Sequence, residues 1–140
     1  MELMQDFIDY FKDSLDIKDV NPKQYSPLVL AYIGDSVYDL IIKSKVIAEG
    51  NSPVNRLHKK TSNYVKASAQ AKMFREIEDM LTEEELNIYK RGRNAKSGTV
   101  PKNADLIDYR VATGLEALIG FLYLENRFKR IIELIVRGVK

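Results

Sequence analysis

Apolar positions recur at helical spacing along most of this chain. Met4, Phe7, Ile8, Phe11 and Leu15 share one helical face near the start. Ser26-Pro27 supplies a capping hydroxyl and then proline at the first helical position, where the missing N–H costs nothing. The following run stays apolar to about Ala48, and Gly50 stops it. Ser52-Pro53 repeats the same start signal. Thr82-Glu83-Glu84-Glu85 is a capping box whose helix frays around Gly92. Residues 93–104 are rich in Gly, Ser, Asn, Lys and Pro and read as a loop. Asp105 caps a helix to about Leu124, and Asn126 marks a turn. Phe128, Ile131, Ile132, Leu134 and Ile135 line a last helix ending near Gly138. No segment alternates with period two, so no strand is expected. The pattern predicts an all-α fold of six to seven helices.

Length and composition narrow the class. At 140 residues the chain is one domain's worth, spanning 1–140. With 45% hydrophobic and 30% charged residues it has the balance of a protein with a real core, not of a disordered or low-complexity chain. The absence of Cys excludes disulfides, thiolate metal sites and a cysteine nucleophile. A single His leaves multi-histidine metal sites and most serine triads without parts. No apolar stretch reaches the length of a membrane span, and Met1–Asp6 is unlike a signal peptide. The expectation is a soluble, cytoplasmic protein without a membrane partner.

The charge is uneven. Residues 1–50 carry nine acids against five bases, whereas residues 51–110 carry eight against twelve. Two windows are basic and free of acids, Arg56–Lys72 and Lys90–Lys102. Either they join into one electropositive face suited to a phosphate backbone, or they are two solvated surfaces.

The acids are most informative where they interrupt apolar helices. Leu28–Ile42 contains only two charges, Asp35 and Asp39, spaced i, i+4. Val111–Leu124 contains one, Glu116. A carboxylate taken into a core is costly unless paired or bound to a cation. Small residues beside these acids, Ala31, Ala112 and Gly120, let helices approach and leave room for an ion. Two carboxylates from two helices beside a basic surface suit Mg²⁺, which takes one or two carboxylates, several waters and a substrate phosphate. The competing reading pairs these acids with core-edge bases such as Arg110.

Five segments in order carry a resemblance. Ala31-Tyr32-Ile33-Gly34-Asp35-Ser36-Val37-Tyr38-Asp39 resembles the Gly-Asp segment of the ribonuclease III signature. Thr113-Gly114-Leu115-Glu116-Ala117-Leu118-Ile119-Gly120 resembles its second catalytic segment. Leu57–Lys60, Arg91–Lys96 and Pro101–Asn103 look like the Mini-ribonuclease III subfamily. The resemblance runs from about Leu28 to Leu124 and implies a catalytic domain without a double-stranded-RNA-binding domain.

That resemblance implies a helical endonuclease domain, homodimeric and dependent on Mg²⁺, with Mn²⁺ able to substitute. It implies hydrolysis of double-stranded RNA to 5′-phosphate and 3′-hydroxyl ends. The substrate would be precursor 23S ribosomal RNA, with a ribosomal protein as a helper. By motif position Asp35 and Glu116 are catalytic and hold the metal. Asp39 either assists through a water or is a solvent-edge acid. Gly34 would let a helix or the RNA backbone come close, and Thr113 would hydrogen-bond a metal-bound water. The residues expected on RNA are His58, Lys59, Lys60, Arg91, Arg93, Asn94, Lys96, Ser97, Lys102 and Asn103. The long Leu28–Ile42 helix is the candidate two-fold contact. The sequence departs from full-size ribonuclease III at Ala31 and Thr113, where that family has two further acids. The alternative is a non-catalytic RNA-binding protein that keeps the fold.

Overall fold

Seven α-helices and two 3₁₀ turns account for the regular structure of residues 2–96 and 105–140, the part this computed structural model describes. The helices are α1 (Glu2–Ser14), α2 (Pro27–Ala48), α3 (Val54–Val65), α4 (Ala67–Ile77), α5 (Glu83–Asn94), α6 (Leu106–Leu124) and α7 (Phe128–Val139). The turns are Pro22–Gln24 and Glu78–Met80. No strand occurs among the described residues, and none of these helices is long and apolar enough to cross a membrane.

Local chemistry fixes most boundaries. Ser26 Oγ accepts from Val29 N at 3.3 Å, with Pro27 opening α2. Thr82 and Glu85 exchange the two hydrogen bonds of a capping box, at 2.9 and 3.1 Å. Asp105 accepts from Ile107 N and Asp108 N at the start of α6. Asn126 takes φ 61°, and Arg127 N reaches back to the Leu122 carbonyl at 2.8 Å, which closes α6 as a Schellman turn.

Two boundaries differ from the sequence pattern. Helix α3 begins at Val54 and Pro53 is itself the cap, without a side-chain bond, so Ser52 does not act as Ser26 does. Helix α5 does not fray at Gly92 but runs to Asn94, so Arg93 and Asn94 are helical and not part of a loop. The reason is that Gly92 is a packing residue. A Cβ there would meet Ala117 Cβ at 2.7 Å and Gly114 Cα at 2.9 Å.

The hydrophobic helix α6 lies at the centre, with α2, α4, α5 and α7 packed around it. Leu115, Ala117, Leu118, Ile119, Phe121 and Leu122 are wholly buried. A second tie joins α5 to α7. Glu85, buried, receives Arg130 in a two-bonded ion pair at 2.7 and 2.8 Å, and Arg130 also donates to the Met80 carbonyl at 2.8 Å. Burial alone would raise the Glu85 carboxyl, but Arg130 and the Thr82 N–H outweigh it and hold it below its usual range.

Candidate active site at the crossing of α2 and α6

Helices α2 and α6 meet backbone to backbone. A Cβ on Gly34 would overlap the carbonyl of Glu116, and one on Gly120 would overlap the carbonyl of Leu30. Gly34 therefore admits a neighbouring helix, the first of the two uses its missing Cβ suggested. Asp35 directly follows Gly34, and Glu116 is the residue Gly34 touches, so the crossing forces the two acids together. The Asp35 carboxylate is close enough across the crossing to perturb that of Glu116.

Neither acid is sunk in the core as the apolar runs around them suggested. Asp35 is exposed and Glu116 is half-buried. They lie at its edge, where a cation or a phosphate has access. Arg110 is not the partner of Glu116. Instead Gln70 Nε2 donates to Glu116 Oε2 at 3.2 Å. Burial first, and Asp35 second, push the Glu116 carboxyl up to about 8, while Gln70 pulls it the other way. A neighbouring carboxylate and partial burial both disfavour the charged form of Glu116, and a bound cation would offset that cost. Hard oxygen donors held this close, with an open side, fit Mg²⁺. No group of three His, Cys, Asp or Glu residues suited to a metal occurs among the described residues.

The flanking positions are specific. Ala31 is buried, one turn before Asp35. Thr113, one turn before Glu116, donates its hydroxyl hydrogen to the Tyr109 carbonyl at 3.0 Å. It therefore offers a nearby water only its lone pairs. Asp39 pairs with Lys43 at 2.9 Å on the same helix.

The basic residues divide by helix. On α3, His58 and Lys59 face solvent, and Arg56 and Lys59 line a hollow with Pro53 and Asn55. Lys60 is partly covered and lies near Glu49. On α5, Arg91 and Arg93 diverge, being two residues apart on a helix. Arg91 reaches the Tyr25 carbonyl at 3.4 Å and shares a hollow with Lys23 and Glu84. Arg93 stacks over the Tyr89 ring at 5.7 Å and donates to Asn94 Oδ1 at 3.1 Å. Exposed Lys96 and Arg110 line a cleft of about 280 Å³ that also contains Thr113, one turn from Glu116. Ser97, Lys102 and Asn103 lie outside the described residues.

Gln70 is the residue sequence reasoning missed. It is uncharged and sits in the polar-looking stretch Ala67–Lys72. The available signal was its position three and four residues before Met73 and Phe74, on the apolar face of α4.

The Ribonuclease III domain family matches residues 28–127. Among curated proteins, the Mini-ribonuclease 3 of Thermoanaerobacter sp. (strain X514) is 54% identical over 118 residues, covering 82% of this chain and 83% of that protein. The Mini-ribonuclease 3 of Clostridium tetani is 53% identical over 113 residues, covering 80% and 75% respectively. A crystal structure of a Fusobacterium nucleatum protein superposes with a TM-score of 0.71 at 34% identity, covering 84% of this chain and 96% of that one.

Proposed function

This chain belongs to the ribonuclease III family, in its Mini-ribonuclease III branch, and is an endoribonuclease; from that premise we propose that it hydrolyses double-stranded RNA with Mg²⁺ held by Asp35 and Glu116. The observation that carries this reading is the meeting of those two carboxylates at the α2–α6 crossing. Bound there, Mg²⁺, or Mn²⁺ in its place, supplies a Lewis acid that makes a water more acidic and neutralises charge on a phosphate oxygen.

The chain's own residues do the rest. Asp35 and Glu116 would hold the cation through their carboxylate oxygens, with Glu116, whose carboxyl is raised, ionised in that state. Thr113 accepts a hydrogen bond from water with its free lone pairs. Lys96 and Arg110 draw a phosphate into the cleft beside Thr113, and His58 and Lys59 take phosphates or 2′-hydroxyls farther along the duplex. Asp39, tied to Lys43, sets the charge one turn beyond Asp35. Water adds to phosphorus as the bond to the 3′-oxygen breaks, and the water's proton ends on that oxygen. The products are a 5′-phosphate and a 3′-hydroxyl.

Two copies of the chain form the working unit in this reading. Val29, Tyr32 and Leu40 leave an apolar stripe on the open side of α2, with Tyr32 80% exposed, next to Asp35. A two-fold contact through that stripe sets two sites on opposite strands. The substrate is a duplex in precursor 23S ribosomal RNA, presented with the aid of a ribosomal protein, and the compartment is the cytoplasm.

The test is cleavage of labelled duplex RNA with Mg²⁺, with EDTA, and by Asp35→Asn and Glu116→Gln. The expected result is metal-dependent cutting lost in both variants while RNA binding persists. Cutting that survives EDTA, or survives both substitutions, overturns the assignment.

A further inference from the structure

Gln70 is 2% exposed on the inner face of α4. Its Nε2 donates to the Val65 carbonyl at 2.8 Å and to Glu116 Oε2 at 3.2 Å. Its Oε1 is buried and has no partner. A buried acceptor left unmet is unfavourable, and Leu or Met fills similar space without that penalty. Nor can the amide turn over. That would set Oε1 against the Val65 carbonyl, acceptor against acceptor, and lose the 2.8 Å bond. The side chain is oriented wholly by its N–H end.

The two acceptors belong to different parts of the molecule. Val65 closes α3, and its carbonyl is one of those a helix end leaves without an internal partner. The adjacent Tyr64 carbonyl accepts from the Tyr38 hydroxyl at 2.9 Å. Two buried side chains thus cap α3; of these, Gln70 also hydrogen-bonds Glu116, whereas the Tyr38 hydroxyl hydrogen-bonds the Tyr64 carbonyl and Met73 Sδ. Helix α3 is also the one that turns His58 and Lys59 to solvent.

We infer that Gln70 is a positioning residue: anchored to the end of α3 by one amide hydrogen, it fixes with the other the orientation in which Glu116 meets Asp35 and a cation. This rests on the reading of Asp35 and Glu116 as the cation site.

The experiment measures Mn²⁺ uptake without RNA, by electron paramagnetic resonance of the free ion, together with kcat and KM on duplex RNA. It compares the natural chain with Gln70→Leu, Gln70→Met and Tyr38→Phe. Both Gln70 variants are expected to bind Mn²⁺ about 10- to 100-fold more weakly and to lose kcat in proportion, with KM within about twofold. Tyr38→Phe removes the other side-chain cap of α3, so it is expected to lower thermal stability while keeping Mn²⁺ affinity. Mn²⁺ affinity unchanged in folded Gln70 variants, or weakened equally in Tyr38→Phe, overturns the inference. Should neither Gln70 variant fold, the natural chain decides. The Gln70 side-chain amide signals are expected to move in a Mg²⁺ titration followed by nuclear magnetic resonance, and static signals overturn the inference. A natural chain that takes up no Mn²⁺ removes the cation reading and this inference with it, whereas normal uptake with indifferent variants removes this inference alone.

Discussion

Glu116 sets the acid–base behaviour of the site. Its carboxyl is raised from an ordinary 4.5 to about 8, first by burial and then by Asp35. Between those values the folded chain keeps a proton that the unfolded chain has released. Stability of the metal-free protein therefore falls as pH rises through this window. In EDTA the melting temperature is expected to drop from pH 5 to pH 8.5, and Glu116→Gln is expected to flatten that part of the profile. If Mg²⁺ binds there as proposed, it takes the place of that proton and is expected to stabilise the natural chain more at pH 8.5 than at pH 5, which calorimetry reads directly. Removing either acid, by Asp35→Asn or Glu116→Gln, is expected to slow cleavage by about 10²-fold or more. These acids were legible in the sequence because a lone charge in an apolar helix is conspicuous. Their place at the core's edge was not, since periodicity gives a face and not a depth. Gln70 carries no charge to betray it, and its role depends on a residue 46 positions away.

Helix boundaries were readable wherever a side chain does the capping, as at Ser26, Thr82 and Asp105. They were misread where glycine serves packing instead. Gly92 looks like a terminator in sequence, yet α5 passes through it because Gly114 and Ala117 of α6 need the space. Gly34 presents the same demand in its strongest form. Gly34→Ala drives a methyl into the Glu116 carbonyl, and the expected penalty is about 3 kcal/mol or more, with the two carboxylates pushed apart. Urea denaturation and cleavage assays on that variant should show both losses together. The α5–α7 tie gives a contrast. Arg130→Met strands the Glu85 charge in a buried position, at an expected loss of about 3–5 kcal/mol. Because the Glu85 carboxyl is held below its usual range, the natural tie weakens as pH falls through that lowered value. The variant is expected to lose stability without changing Mn²⁺ affinity, since Glu85 is no part of the α2–α6 crossing.

At the scale of the molecule, the described bases at the end of α5 point in two directions. Arg91 lies among Lys23 and Glu84, while Arg93, Lys96 and Arg110 follow the end of α5 and the start of α6. Substituting Lys59 or Lys96 by Ala is expected to weaken duplex RNA binding and to reduce its salt slope by about one each. Arg91→Ala is expected to leave that slope unchanged, and filter binding across a salt series separates them. Divergence of neighbouring bases on α5 follows from helix geometry and was open to sequence reasoning. The meeting of Lys96 with Arg110 was not, because it depends on how α5 crosses α6.

The central position of α6 also imposes an order on biosynthesis. Asp35 is translated about eighty residues before its counterpart Glu116, and Gly34 has no surface to lie against until α6 emerges. A nascent chain halted before residue 106 lacks the helix on which α2, α4 and α5 converge, so its earlier helices have no shared core to settle on. The proposed pairing of Asp35 with Glu116 thus waits for the penultimate helix, and α7, with Arg130 for Glu85, completes the fold after it.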